Sequence, residues 1–234
     1  MPAHAIVEQM RKNSPALSVG VLTGDWMALR SELAILESAG IGLLHIDVMD
    51  GHIWPKITVG PSFIQGLKTS LLKDVHLLID KPECHIESFA KAGADIISFS
   101  AEYCNDIAAT LSKIGRMNNA NDPDRGIVKG LSLNPSTPVE RIAPFIKDID
   151  MVVLLAIGPD TGSDNFISAL PDRIKQVRAL RQDILIFVDG AINKKNIADI
   201  AAMRPDIIVT GSAVFDGKDA VGNLKFMLDA IKQR

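Results

Sequence analysis

Two histidines and two aspartates lie in or at the end of short apolar segments of this chain. The sequence LHID places His45 and Asp47 two residues apart. Side chains alternate along a β-strand, so both polar groups point to the same side of a strand at this position. His76 lies inside the next apolar segment, and Asp189 ends a later one.

Two imidazoles and two carboxylates form a ligand set that suits Zn²⁺, Fe²⁺, Mn²⁺ or Co²⁺, and the ligand type does not choose among these ions. A single histidine in a strand is more often a hydrogen-bonded core residue, and Asp189 before a glycine could equally mark a turn. For His45, the partner at i+2 favours a metal site, because an unpaired buried charge in an apolar strand is costly. His52 and His85 fall in a predicted loop and on a predicted helix surface. We therefore predict one divalent metal ion bound by His45, Asp47, His76 and Asp189.

Three turns of small residues follow late apolar segments and could hold a phosphate group. Late loops of α/β barrels often bind phosphate through backbone N–H groups. One such pair usually marks only a turn, but the placement of three after successive segments favours a phosphate site. The residues are Gly162 and Ser163, Gly190 and Ala191, and Gly211 and Ser212.

Apolar segments rich in β-branched residues alternate with longer segments of helical period, which is typical of parallel βαβ units. The predicted strands are 16–21, 43–47, 73–78, 95–99, 128–133, 151–157, 184–188 and 207–209. The predicted helices are 26–38, 61–70, 83–92, 105–117, 138–146, 167–180, 194–203 and 219–232.

Eight such pairs predict an α/β protein with a (β/α)₈ barrel fold. An open doubly wound sheet would use the same alternation, but no GxGxxG motif follows the first strand, which favours the closed barrel. Residues 1–234 are predicted to form a single domain, with residues 1–13 as an extension outside the repeat. The polar segment 118–125 is predicted to be a surface loop at the end of the barrel opposite the site.

Composition excludes several classes of protein. The chain has 234 residues and a formal net charge of −3, and its pI is near 5.9. Nucleic acids and anionic membranes need a concentrated basic surface, so neither is expected as a partner. The two cysteines have no metal-ligand spacing and are too few for a disulfide framework. No signal sequence or apolar membrane span is apparent, and a cytoplasmic location is expected.

Several longer motifs resemble those of the ribulose-phosphate 3-epimerase family. The resemblance extends from about Leu17 to Phe215, and its HxDxMDG segment is highly specific. The motifs are LHIDVMDGHIWPKITVGPSF (44–63), DVHLLIDKPECHIESFAKAGADII (74–97), GLSLNPSTPVE (130–140), VDGAINKKNI (188–197) and VTGSAVF (209–215).

The resemblance implies that the four predicted ligands occupy the family's metal positions. It also implies that Asp47 and Asp189 exchange protons with carbon 3 of a ketose phosphate on opposite faces, through an enediolate stabilised by the metal. Met49 would help to form a dry cap over this intermediate. A homo-oligomer is also implied.

The chain departs from the family pattern in the predicted pocket. Gly20 stands where a serine is usual, Leu78 and Leu155 stand where methionines are usual, and Ser100 replaces a common histidine. The loop usually written PGFGGQ reads PDTGSD (159–164), which adds two carboxylates near the predicted phosphate site. The pocket walls therefore differ while the metal ligands are retained.

The expected reaction is the interconversion of D-ribulose 5-phosphate and D-xylulose 5-phosphate. One alternative is 3-epimerisation of a hexulose phosphate such as allulose 6-phosphate. Another is a sugar-phosphate-binding barrel without catalytic activity. Retention of both aspartates argues against the last, because binding alone needs no carboxylate on each face of a carbon.

Overall fold

Eight parallel β-strands form a closed barrel in chain order. The computed structural model describes residues 3–159 and 167–232. This closure confirms the predicted barrel and excludes the open doubly wound sheet. The strands are β1 (Ala16–Gly20), β2 (Leu43–Met49), β3 (Leu72–Leu78), β4 (Ile96–Ser100), β5 (Val128–Leu133), β6 (Met151–Leu155), β7 (Leu185–Asp189) and β8 (Ile207–Thr210).

The strands are apolar on both faces because both faces are covered. Side chains such as Ile46 and Val75 point outward and join the core that lies under the helices. Alternate side chains such as Met151 and Phe187 point inward and fill the lumen. Burial on both faces explains the continuous apolar segments of the sequence.

The described residues contain eight α-helices, which largely match the predicted helical segments. They are α1 (His4–Lys12), α2 (Leu29–Ser38), α3 (Pro61–Gly66), α4 (Ile86–Lys91), α5 (Ile107–Gly115), α6 (Leu170–Leu180), α7 (Ile197–Ala202) and α8 (Ala220–Lys232). The helix predicted for 138–146 was wrong in type, since Val139–Phe145 forms a 3₁₀ helix that contains Pro144. Proline lacks the N–H that an α-helix interior needs.

Helix α1 packs against the inner core. Ile6, Val7 and Met10 are buried and belong to the same cluster as the residues that begin the strands, including Leu43 and Ile207. The lumen is therefore closed by apolar side chains at the amino-terminal ends of the strands.

The polar segment 118–125 is tied to the same end of the barrel. The amide of Asn119 is buried and donates to the Ala94 carbonyl and the Asp95 carboxylate. Arg125 Nη2 lies 2.6 Å from Asp95 Oδ1.

Cys84 is exposed and Cys104 is buried, and both are free thiols. Within the described residues, the helices are too short or too polar to cross a bilayer.

Candidate active site and metal centre

The register of β2 on β3 brings the first three predicted ligands together. His45 faces Asp74, and Asp47 faces His76, as direct partners on the two strands. The side chains of these two pairs point into the lumen, because Ile46 and Val75, which alternate with them, belong to the core under the helices. The alternation read from the sequence is therefore present in the barrel.

Closure of the barrel adds Asp189 from β7. Its Oδ2 lies 3.7 Å from His45 Nε2 and 3.6 Å from His76 Nδ1. Asp47 Oδ1 lies 3.1 Å from His45 Nε2 and 3.3 Å from His76 Nδ1. One donor atom from each of the four residues lies within 4.8 Å of the other three. We call these residues, His45, Asp47, His76 and Asp189, the metal cluster.

These separations suit a shared divalent cation. Nitrogen and oxygen ligands lie about 2.0 to 2.2 Å from Zn²⁺, so two tetrahedral ligands are about 3.4 Å apart. His76 is fully buried, and neither ring nitrogen has a hydrogen-bond partner among the described residues. Nδ1 has carboxylate oxygens of Asp47 and Asp189 nearby but makes no hydrogen bond to them, and a cation between these groups would satisfy this nitrogen. The residues present therefore fit a metal ion.

His45 is held from behind by a carboxylate that we did not predict. Its Nδ1 lies 2.7 Å from Asp74 Oδ2, which also accepts a hydrogen bond of 3.0 Å from the Ser18 hydroxyl. When Nδ1 carries the hydrogen and donates it to Asp74, the lone pair of Nε2 is directed toward the other members of the metal cluster. Asp74 lies two residues before His76, so the same alternation that identified His45 and Asp47 could have revealed it.

Burial and neighbouring charges act in opposite directions on the pKa values of His45, Asp47 and His76. Burial alone would lower the pKa of His45, but the carboxylates of Asp74 and Asp47 raise it well above the usual value. Burial alone would raise the pKa of Asp47, but His45 and His76 lower it. Burial also opposes the rise in the pKa of His76, which contacts with Asp189 and Asp47 produce. This field of negative charge attracts cations, whether protons or a metal ion.

The two carboxylates of the cluster border an open pocket of about 280 Å³ at the carboxyl ends of the strands. Asp47 is 30 % exposed and Asp189 is 14 % exposed, whereas His45 behind them is 1 % exposed. Met49, Leu78 and Leu155 line the pocket as apolar walls. The acids are therefore accessible to a small molecule, and the imidazoles are shielded.

The turns after β7 and β8 line the same pocket through Gly190, Ala191, Gly211 and Ser212. Gly190 and Ala191 both have positive φ, of 105° and 56°. A Cβ on Gly190 would approach Ile157 Cγ1 to 2.7 Å, so glycine is required there. The other predicted phosphate residues, Gly162 and Ser163, lie outside the described residues together with the PDTGSD segment from Asp160 onward.

The departures from the family pattern lie at different depths. Gly20 lines the pocket, and a Cβ there would lie 3.3 Å from the Cα of Gly211. Ser100 is fully buried and does not line the pocket. Trp54 and Lys56, in the loop after β2, line the pocket and were not predicted, although they lie within the quoted motif of residues 44–63. His52 is 72 % exposed and pairs with Asp50, away from the metal cluster.

The sequence resembles known epimerases over most of its length. The model of the ribulose-phosphate 3 epimerase family matches residues 16–215. The chain is 37 % identical to ribulose-phosphate 3-epimerase of Bacillus subtilis (strain 168), covering 88 % of this chain and 95 % of that protein. It is 35 % identical to the putative epimerase LsrE of Salmonella typhi, covering 89 % of this chain and 84 % of that protein.

Solved structures share the fold at lower identity. A 3-hexulose-6-phosphate synthase from Salmonella typhimurium superposes with a TM-score of 0.63 and 18 % identity, covering 93 % of this chain and 99 % of that one. The orotidine 5'-phosphate decarboxylase of Pyrococcus horikoshii OT3 superposes with a TM-score of 0.66 and 16 % identity, covering 93 % of this chain and 100 % of that one. At these identities the likeness concerns the barrel alone.

Proposed function

Because this chain belongs to the ribulose-phosphate 3-epimerase family, we propose that it interconverts D-ribulose 5-phosphate and D-xylulose 5-phosphate with one divalent metal ion. The observation that carries the proposal is the placement of Asp47 and Asp189 at the edge of one pocket, on strands β2 and β7. Members of the family are isomerases that act on carbohydrates.

The two carboxylates act as base and acid in this proposal. Asp47 removes the proton from carbon 3 of the ketose, and Asp189 returns a proton to the opposite face, which inverts the configuration. Asp47 is suited to the first step because its carboxylate is 30 % exposed and lines the pocket. The reverse reaction exchanges the two roles.

The metal cluster would hold the cation through His45, Asp47, His76 and Asp189. When bound, Zn²⁺, Fe²⁺, Mn²⁺ or Co²⁺ would supply electrostatic stabilisation of the negative charge that develops on the substrate oxygens. Asp74 fixes His45 in the orientation that this role requires.

The remaining pocket residues exclude water and bind the phosphate. Met49, Leu78 and Leu155 present apolar surface beside the two acids, which strengthens charge interactions between them and a bound substrate. The turns at Gly190, Ala191, Gly211 and Ser212 would donate backbone N–H groups to the phosphate. Gly162 and Ser163 would contribute from the loop after β6. We further propose a cytoplasmic homo-oligomer that binds neither nucleic acid nor membranes.

Solvent deuterium exchange tests the reaction. Ribulose 5-phosphate and added metal in D₂O are expected to yield deuterium at carbon 3 and xylulose 5-phosphate as product. Asp47→Asn and Asp189→Asn should each abolish epimerisation, and Asp80→Asn, on the surface loop after β3, should leave it intact. Wild-type turnover by Asp47→Asn would show that the base is another group.

A six-carbon ketose phosphate such as allulose 6-phosphate is the second candidate substrate. Gly20 lines the pocket without a side chain where the family usually has a serine, so one polar contact to a pentulose would be missing. Exchange only with hexulose phosphates would establish this alternative. Tight binding without exchange for any ketose phosphate would instead identify a non-catalytic sugar-phosphate-binding protein.

A further inference from the structure

The two histidines of the metal cluster differ in what lies behind them. His45 Nδ1 contacts Asp74, so both of its ring nitrogens have partners. His76 Nδ1 faces Asp47 and Asp189, but His76 Nε2 has no hydrogen-bond partner among the described residues. A neutral imidazole that offers Nδ1 to a cation carries its hydrogen on Nε2, and that hydrogen needs an acceptor.

Three serine hydroxyls lie in the lumen on the strands that follow His76. Ser98 and Ser100 are on β4 and Ser132 is on β5, and all three are fully buried. None of the three oxygens has a hydrogen-bond partner in the described part of the chain. Buried hydroxyl groups are rarely left unpaired, so these oxygens are available as acceptors.

Register points to one of them. Between β2 and β3, the lumen-facing polar residues that are direct partners contact one another, as His45 contacts Asp74 and Asp47 contacts His76. The direct partner of His76 on β4 is Ser98. Ser100 instead pairs with Ser132, one step nearer the mouth.

We propose that Ser98 accepts the Nε2 hydrogen of His76 through one enclosed water molecule, and so positions His76 as a metal ligand. The inference rests on the proposed function, since it assumes that the metal cluster binds a cation. Ser98 is a positioning residue, because it lies behind His76 and does not line the pocket. A neutral hydroxyl behind His76 would make it a weaker donor than His45, which has a carboxylate behind it.

Zinc affinity and the imidazole proton signal of the full-length protein test this assignment. Loss of a partner behind a metal-bound histidine typically weakens metal binding about 10- to 100-fold, and Ser98→Ala is expected to fall in this range. Ser98→Thr retains the hydroxyl and should restore wild-type affinity. With zinc bound, the His76 Nε2 proton should be visible by ¹⁵N NMR in wild-type protein and should exchange faster with water in Ser98→Ala.

Ser132→Ala is the matched control, because it also removes a buried, unpaired serine hydroxyl from the lumen but lies two strands away from His76. It should leave zinc affinity unchanged. Wild-type zinc affinity in Ser98→Ala would overturn the proposal, as would a loss seen only in Ser100→Ala. Thermal unfolding of each variant separates lost affinity from lost folding.

These measurements need no turnover, so they separate this inference from the proposed reaction. If the wild-type protein binds zinc but incorporates no deuterium, the proposed reaction fails while Ser98 is still tested. If deuterium exchange proceeds and Ser98→Ala binds zinc normally, the role of Ser98 fails alone.

Discussion

At the scale of single residues, the site depends on which nitrogen of each histidine is free. Asp74 is fully buried and contacts His45 Nδ1 at 2.7 Å, so Nε2 is the nitrogen that faces Asp47 and Asp189. The Ser18 hydroxyl donates to the same oxygen of Asp74 and holds the carboxylate in place. The orientation of His45 is therefore set before any cation binds.

Asp74→Asn is expected to weaken divalent metal binding about 10- to 100-fold, because the amide is a poorer acceptor for the Nδ1 hydrogen. Isothermal titration with Zn²⁺ or Mn²⁺ measures the loss. Asp199→Asn, which changes a carboxylate on the surface of α7, serves as the control. Equal affinities in the two variants would mean that Asp74 does not support His45.

At the scale of elements, a side chain on helix α2 holds the segment that leads into strand β3. Glu37 at the end of α2 accepts hydrogen bonds from the Thr69 hydroxyl, the Ser70 N–H and the Ser70 hydroxyl, at 2.7 to 3.0 Å. These contacts hold the segment that leads into β3, the strand that carries His76. The hydrogen bonds lower the pKa of Glu37 below its usual value.

Glu37→Gln is expected to make the protein less sensitive to acid. A carboxylate whose pKa is lower in the folded state adds stability above its unfolded pKa, and this stability is lost as the pH falls through the folded value. The wild-type protein should therefore lose more stability than Glu37→Gln between about pH 5 and pH 3. Urea unfolding at several pH values measures this difference, and parallel curves would contradict it.

At the scale of the whole molecule, the barrel has an apolar base and a polar mouth. Met10 of α1 is 4 % exposed and packs with the residues that begin the strands. The carboxyl ends of the strands instead carry the two acids of the pocket. Apolar packing therefore occupies the amino-terminal end of the barrel and the candidate active site the carboxyl-terminal end, as is usual in this fold.

Met10→Ala should lower the free energy of unfolding by about 2 to 5 kcal/mol, because it leaves a cavity where α1 meets the lumen. Gln9→Ala, on the exposed face of the same helix, should change it little. Chemical denaturation measures both, and the metal affinity of folded Met10→Ala should match that of the wild type. Equal stability of the two variants would show that α1 does not support the barrel.

Metal binding should stabilise the whole barrel, since the ligands come from β2, β3 and β7. At a cation concentration about 100 times the Kd, the gain is about 2.7 kcal/mol, which corresponds to about 5 to 10 °C in a chain of this size. His45→Ala should abolish the shift in thermal scanning, whereas His85→Ala, on the surface, should retain it. An equal shift in both variants would place the cation elsewhere.

Much of this architecture could be predicted from local patterns in the sequence. Apolar segments recur with the spacing of βαβ units, and a period of two directs His45 and Asp47 to one side of β2. Sequence also identified the family, through motifs that extend over most of the chain. The 3₁₀ geometry of Val139–Phe145 was missed, although Pro144 was a local signal for it.

The tertiary structure decided which distant residues share the site. Periodicity is a property of neighbouring residues and determines the direction of a side chain, but not which strands meet. Closure of the barrel places Asp189 of β7 within 3.7 Å of His45, and the register of β3 on β4 places Ser98 beside His76. Both depend on non-local strand pairing, which arises from packing of the complete barrel and leaves no signal at any single position of the chain.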